Sequence, residues 1–111
     1  MKHATIRPRV RVPKTVAKGE IFEVKTLVVH TMETGLRKDK KTGQPIPRNI
    51  IRELKVTYNG RQVLRSVWYT AMSANPFTSF FVRAQDSGPM VFTWTDDNNQ
   101  TYTKEMTVKV V

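Results

Sequence analysis

The chain is 111 residues long, lacks cysteine, and sets 19 Lys and Arg against 9 Asp and Glu, a formal charge of +10. That length holds one domain, spanning 1–111, with a core that needs no staple, and the missing cysteine excludes thiol catalysis, thiolate zinc sites and disulfides. The charge points to an anionic partner (nucleic acid, acidic protein or small anion) or to a self-repelling surface, and no segment is apolar for the length of a membrane span.

From Met1 to Arg9 there is no apolar signal-like region. The expectation is a chain without a secretory signal of its own, whose export would depend on something else. Ile6 to Val12 reads as a first strand. Arg7, Arg9 and Arg11 fall at spacing two and share one face, with Pro8, Val10 and Val12 on the other. Proline cannot donate to a ladder, so this strand belongs at a sheet edge. The arginine row either blocks unwanted pairing or binds anions.

Pro13-Lys14-Thr15 and Lys18-Gly19 are turn material. Glu20 to Val29 is the clearest strand: Phe22, Val24, Thr26 and Val28 alternate with Ile21, Glu23, Lys25 and Leu27. It becomes apolar on both faces near Val29, which predicts a central position in its sheet. His30 to Arg48 then forms a loop of a length that is uncommon in so small a domain and is usually functional or disordered. Its first part carries an imidazole, a thioether, a carboxylate and a hydroxyl before Gly35. Its second part, from Arg37 to Arg48, is a charged run with Gly43, Pro45 and Pro47, consistent with a solvated tip. Lys41-Thr42-Gly43 has the makings of a small hairpin.

Ile50 to Tyr58 is the third strand, with Leu54, Val56 and Tyr58 on one side. Asn59-Gly60 is a strong hairpin signal because both positions accept positive φ. Gln62 to Tyr69 returns as the fourth strand, leaving the Trp68-Tyr69 pair at its end, facing solvent or a partner. Residues 70–76 connect to the fifth strand, Phe77 to Ala84, with Asn75-Pro76 marking the exit. After the turn Asp86-Ser87-Gly88-Pro89 comes the sixth, Met90 to Thr95. A hairpin turn at Asp96-Asp97-Asn98-Asn99 leads to the seventh, Thr101 to Val111. Seven short strands with no helical period predict an all-β fold, an antiparallel immunoglobulin-like β-sandwich; a small barrel is the competitor. The predicted inward set is Phe22, Val24, Val28, Leu54, Val56, Phe92, Trp94, Met106 and Val108.

The chemistry available for catalysis is thin. Imidazole comes only from His3 and His30. His30 with Glu33 and Asp39 can be written as a metal triad, but the spacing fits no ligand motif. The plainer expectation is a histidine that fixes the loop by hydrogen bonds at the sheet end. Asp96 and Asp97 are paired only in sequence, and in a turn such side chains bond their own backbone. There is no phosphate-cradling glycine loop or nucleophile elbow. Most aromatics occupy inward strand positions, which weakens the case for a single-strand nucleic-acid binder.

Several stretches carry a family resemblance. Arg9-Val10-Arg11-Val12-Pro13-Lys14, Gly19 to Leu27, and His30-Thr31-Met32-Glu33-Thr34-Gly35-Leu36-Arg37-Lys38-Asp39 resemble SoxZ, the sulfur-oxidation family that pairs with SoxY. Asn59-Gly60, Ser73-Ala74-Asn75-Pro76 and Phe92-Thr93-Trp94-Thr95-Asp96-Asp97 resemble it in the same order. The likeness runs from about Arg7 to the C-terminus. Thr31 departs from the family pattern, which has proline between the His and Met; the change frees one φ angle and restores a donor.

The resemblance implies a non-catalytic, cofactor-free and metal-free subunit that forms a periplasmic heterodimer with SoxY. The partner carries sulfur on a cysteine at the end of a flexible arm and presents it to other Sox enzymes. The subunit would leave the cytoplasm bound to a signal-bearing partner. The expected partner-binding residues are His30, Met32, Glu33, Thr34, Gly35, Arg37 and Lys38. No membrane or nucleic-acid partner is expected, and the isolated chain, with an exposed strand edge, is open to self-association. A basic β-module binding single-stranded nucleic acid is the alternative reading, and a metal-dependent enzyme using His30 is the third.

Overall fold

The computed structural model describes residues 7–30, 32–33, 35–36, 38–68 and 75–111. Two sheets face each other. The first, in the order β1-β3-β6, contains β1 (Arg7–Arg11), β3 (Ile21–Val29) and β6 (Phe77–Arg83). The second, in the order β2-β8-β7-β4-β5, contains β2 (Thr15–Val16), β4 (Ile51–Tyr58), β5 (Arg61–Val67), β7 (Gly88–Asp96) and β8 (Thr101–Val110). Helices are absent among the described residues. The fold is an all-β sandwich in a single domain, as the alternation predicts, and the two open sheets rule out a closed barrel.

Alternation sets the layers. Phe22, Val24, Thr26 and Val28 all point inward from β3 and are buried. They meet Leu54, Val56 and Tyr58 of β4 and Met90, Phe92 and Trp94 of β7, all likewise buried. Eight of the nine predicted inward residues are buried, and Met106 is half-buried against them. Side chains of this size, fully removed from water, each contribute about 1.5–3 kcal/mol to the sandwich. Proline and position agree for β1, which lies at an edge and pairs antiparallel with the central β3.

The Asn59-Gly60 hairpin forms with φ values of 52° and 79° and joins β4 to β5. Gly88 lies close against it: a Cβ there would sit 1.5 Å from Asn59 Oδ1. Gly88 and Pro89, expected in a turn, belong to β7, paired with Val108 and Thr107. An eighth strand also appears where a turn is expected. Thr15 and Val16 pair in parallel with Lys109 and Val110. Two residues are too few to show a period, and what holds them is burial of Val16 under the end of β8.

One aromatic expectation is corrected. Trp68 does not face solvent: it is buried, with its indole N–H donating to Ser66 Oγ at 2.8 Å and its backbone N–H to Arg52 O at 2.7 Å. Phe77 and Phe81, outside the predicted inward set, are exposed. Strand β6 turns them out on the same face, while Val82 is buried and Phe80 half-buried behind them. Ile6, Tyr69 and the 70–74 connection lie outside the described residues.

Candidate functional site

Strand β3 ends at Val29, and the chain leaves the sheet at His30. Asn75 latches this exit. Its Oδ1 accepts from His30 N at 2.9 Å, and its own N–H donates to His30 O at 2.7 Å. Asn75 holds φ at 52°, a left-handed conformation that asparagine tolerates. Pro76 follows, and its carbonyl accepts from Val28 N at 3.3 Å. The Asn-Pro pair therefore fastens the loop as well as starting the next strand.

The His30 side chain is 3% exposed, and its Nδ1 accepts the Met32 N–H at 2.8 Å. Burial pushes its pKa below the usual 6.5, against a weaker upward pull from the Asp96, Asp97 and Glu33 carboxylates. The hydrogen bond agrees with a neutral ring, because an imidazolium would set a second N–H against that of Met32. His30 thus fixes the loop at the sheet end, the plainer of its two expected roles. Met32, at φ 55°, turns inward; it is buried, and its Sδ accepts from Ile51 N at 3.3 Å.

Beyond Met32 the loop runs out and returns on itself. Glu33 and Asn49 exchange both backbone hydrogen bonds, at 2.9 and 2.8 Å. Gly35 has φ 88°, and a Cβ there would lie 3.2 Å from Arg48 Cβ, so the outgoing limb presses on the returning one. Lys38 and Pro45 form a second bridge. The tip closes as Gly43 N donates to Asp39 O at 2.8 Å, while Asp39 Oδ1 accepts from Lys41 N and Thr42 N at 2.7 and 3.2 Å. The expected Lys41-Thr42-Gly43 hairpin is present, and its charged residues are exposed.

The returning limb is tied to the β7–β8 turn. Asp97 Oδ2 accepts from Arg48 Nε at 2.9 Å and from Ile50 N at 3.2 Å. Its neighbour Asp96 is fully buried; Oδ1 accepts from Asn98 N and Gln100 N, each at 2.9 Å, and Oδ2 from the Tyr102 hydroxyl at 2.8 Å. Burial, with the hydrogen bond to Asp96 and its charge, raises the Tyr102 pKa to about 12. Asp96 bonds its own turn, as expected for such residues. Asp97 instead reaches across to the loop, an association that sequence distance hides.

Of the seven singled-out loop residues, His30 and Met32 lie inside and position the loop. Glu33 is half-buried in a rung, Gly35 stands against Arg48, and Lys38 is exposed. Thr34 and Arg37 lie outside the described residues, as do Thr31 and His3. The written triad does not assemble: Asp39 serves its own turn at the tip. Among the described residues no three His, Cys, Asp or Glu are grouped to hold a metal ion. What the site offers is a braced, basic projection whose anchor is buried and whose outer part is a surface.

Solved structures with this fold include a superoxide reductase (neelaredoxin) from Ignicoccus hospitalis, 19% identical, with a TM-score of 0.70 over 94% of this chain and 80% of that one. A putative superoxide reductase from Thermotoga maritima is 17% identical, with a TM-score of 0.71 over 94% and 85%. The sulfur carrier protein SoxY from Chlorobium limicola f thiosulfatophilum is 12% identical, with a TM-score of 0.65 over 93% and 74%. At such identities the likeness speaks for the fold alone. No curated protein matches the chain. The family model described as sulphur oxidation protein SoxZ, however, matches residues 10–107, taking in the sandwich and the whole braced loop. The chain belongs to the SoxZ family and is a subunit of the Sox sulfur-oxidation system.

Proposed function

We propose that this chain is the binding and scaffold subunit of a covalent sulfur-carrier complex. It holds a SoxY-like subunit in a heterodimer and presents that partner's sulfur-bearing cysteine arm to other Sox enzymes. The observation that carries this reading is the family match across residues 10–107. The chemistry of the chain supports it. With no cysteine, it has no thiol to load with sulfur or to exchange with a persulfide beside it. Its described histidine has one ring nitrogen engaged and is held neutral in the interior, so it serves as a structural part. The subunit contributes no reaction of its own, and its basic projection steers acidic enzymes and anionic sulfur species toward the complex. In the cell the heterodimer works in the periplasm, exported on the partner's signal.

Intact mass of the reconstituted pair tests this. After loading with a thiosulfate-derived donor, the partner gains sulfur adducts while this chain keeps its unmodified mass in a one-to-one complex. A sulfur-oxidising turnover by this chain alone would contradict the reading.

A further inference from the structure

The outer face of β1-β3-β6 is exposed. Across it Arg9 stands opposite Leu27, which stands opposite Phe77; Arg11 faces Lys25, and Glu23 faces Phe81. Phe77 is 57% exposed and Phe81 69%, with Ile21 of β3 at 56%. Rings in water on one continuous face mark an interaction surface rather than scattered apolar residues. A shallow groove of about 370 Å³ runs between Arg9, Arg11, Lys25, Leu27 and Phe77.

The charge on this face is one-sided. Arg7, Arg9, Arg11, Lys25 and Arg83 oppose one carboxylate, Glu23, which lies 3.7 Å from Lys25. Arg11 and Lys25 are like charges directly opposite each other, an arrangement that costs stability in an isolated sheet. An anionic counter-surface relieves it. Two copies of this chain meeting here would set cations against cations, which disfavours a self-interface. Nucleic acid would satisfy the arginines but leave aliphatic Ile21 and Leu27 without a stacking role. A protein with an acidic rim around an apolar centre satisfies both components.

We propose that this face docks the SoxY-like subunit, through an acidic, apolar-centred surface of that partner. The inference rests on the carrier-complex reading and adds to it the place of contact. Three strands about 4.8 Å apart and about 23 Å long give a plan area of roughly 330 Å², less than the roughly 800 Å² per partner of a stable interface. The contact therefore runs past the face. One continuation is the free edge of β6, which, unlike β1 with its Pro8, carries no proline to interrupt pairing. The other is the braced loop, reached directly where Val29 passes into His30.

The test is binding of the purified full-length chain to its SoxY-like partner, by calorimetry and by stopped flow. Phe81→Glu is expected to raise Kd at least about tenfold, as for a central aromatic anchor. The double variant Arg9→Glu with Arg11→Glu is expected to slow association most at low salt. Thr103→Glu, on the outer face of the other sheet, should bind as the wild type does. Thermal melts check that the exposed-site variants fold. If Phe81→Glu and the arginine variant both bind like the wild type, the docking face is elsewhere and the proposal is overturned. It is equally overturned if Phe81→Glu only dissociates a homodimer, or only abolishes binding of a thymidine oligonucleotide. If the wild-type chain binds no SoxY-like partner at all, the carrier-complex reading fails first, and this proposal with it.

Discussion

His30 is neutral because the fold needs its Nδ1 as an acceptor and has removed the ring from water. A histidine with a folded-state pKa below its unfolded value binds fewer protons folded than unfolded near that value. Its contribution to stability is complete above about 6.5 and declines as pH falls toward the folded pKa. His30→Asn keeps an acceptor near the Met32 N–H and removes the titration. The difference in Tm between wild type and this variant should therefore shrink from pH 7.5 to about pH 5; a constant difference would show that His30 does not titrate in this way. Tyr102 has the opposite sign. Its pKa is raised to about 12, so its contribution is complete below 10 and lost as pH climbs toward 12. Tyr102→Phe should flatten that alkaline decline, read by circular dichroism across the same interval. The local role of His30 was legible in the sequence, since an imidazole at a sheet end has a simple structural use. Its partner Asn75 was not, because nothing local in residues 30 and 75 says that they meet.

At the scale of elements, alternation did most of the work. The inward faces of β3, β4 and β7 follow from spacing two, and Pro8 put β1 at an edge. Where the pattern was short or two-sided, it fell short. Strand β2 has two residues and no period, while β6 has aromatics on both faces, so spacing alone left the direction of Phe77 and Phe81 open until pairing with β3 fixed it. The loop was legible as a loop, with its tip hairpin, but not as a braced one. Its hold on the sandwich comes from Met32, Asn75 and Asp97, which are brought together only by the fold. Met32→Ala empties a buried site and should cost about 2–5 kcal/mol in denaturant unfolding. A loss near zero would mean that the thioether is no plug. Gly35→Ala forces a left-handed residue with a Cβ against Arg48 and should cost about 1–2 kcal/mol; hydrogen exchange at Glu33 and Asn49 should rise with it.

The whole molecule, with a formal charge of +10, joins a well-packed, mostly apolar interior, in which Asp96 is the buried carboxylate, to a basic surface. Two groups of cations that sequence order separates are Lys38, Lys40 and Lys41 at the loop tip and Arg7, Arg9, Arg11, Lys25 and Arg83 on the outer face of the small sheet; Arg52, Lys55, Arg61, Arg65, Lys104 and Lys109 lie exposed on the larger sheet. Charge reversal at Arg37 and Lys38 should slow association with an acidic partner severalfold at low salt, and the effect should fade as ionic strength approaches about 1 M, where the Debye length is near 3 Å. An unchanged rate would remove the loop from steering. Composition gave only the charge, whereas the family pattern, spread over the chain, made its place in the Sox system legible. The most direct measurement is a tagged pull-down from the native cell, with intact mass of everything that accompanies the chain. The account predicts one SoxY-like partner in equal amount, bearing sulfur adducts on a cysteine near its C-terminus. Recovery of nucleic acid alone, or of the chain alone, would contradict it.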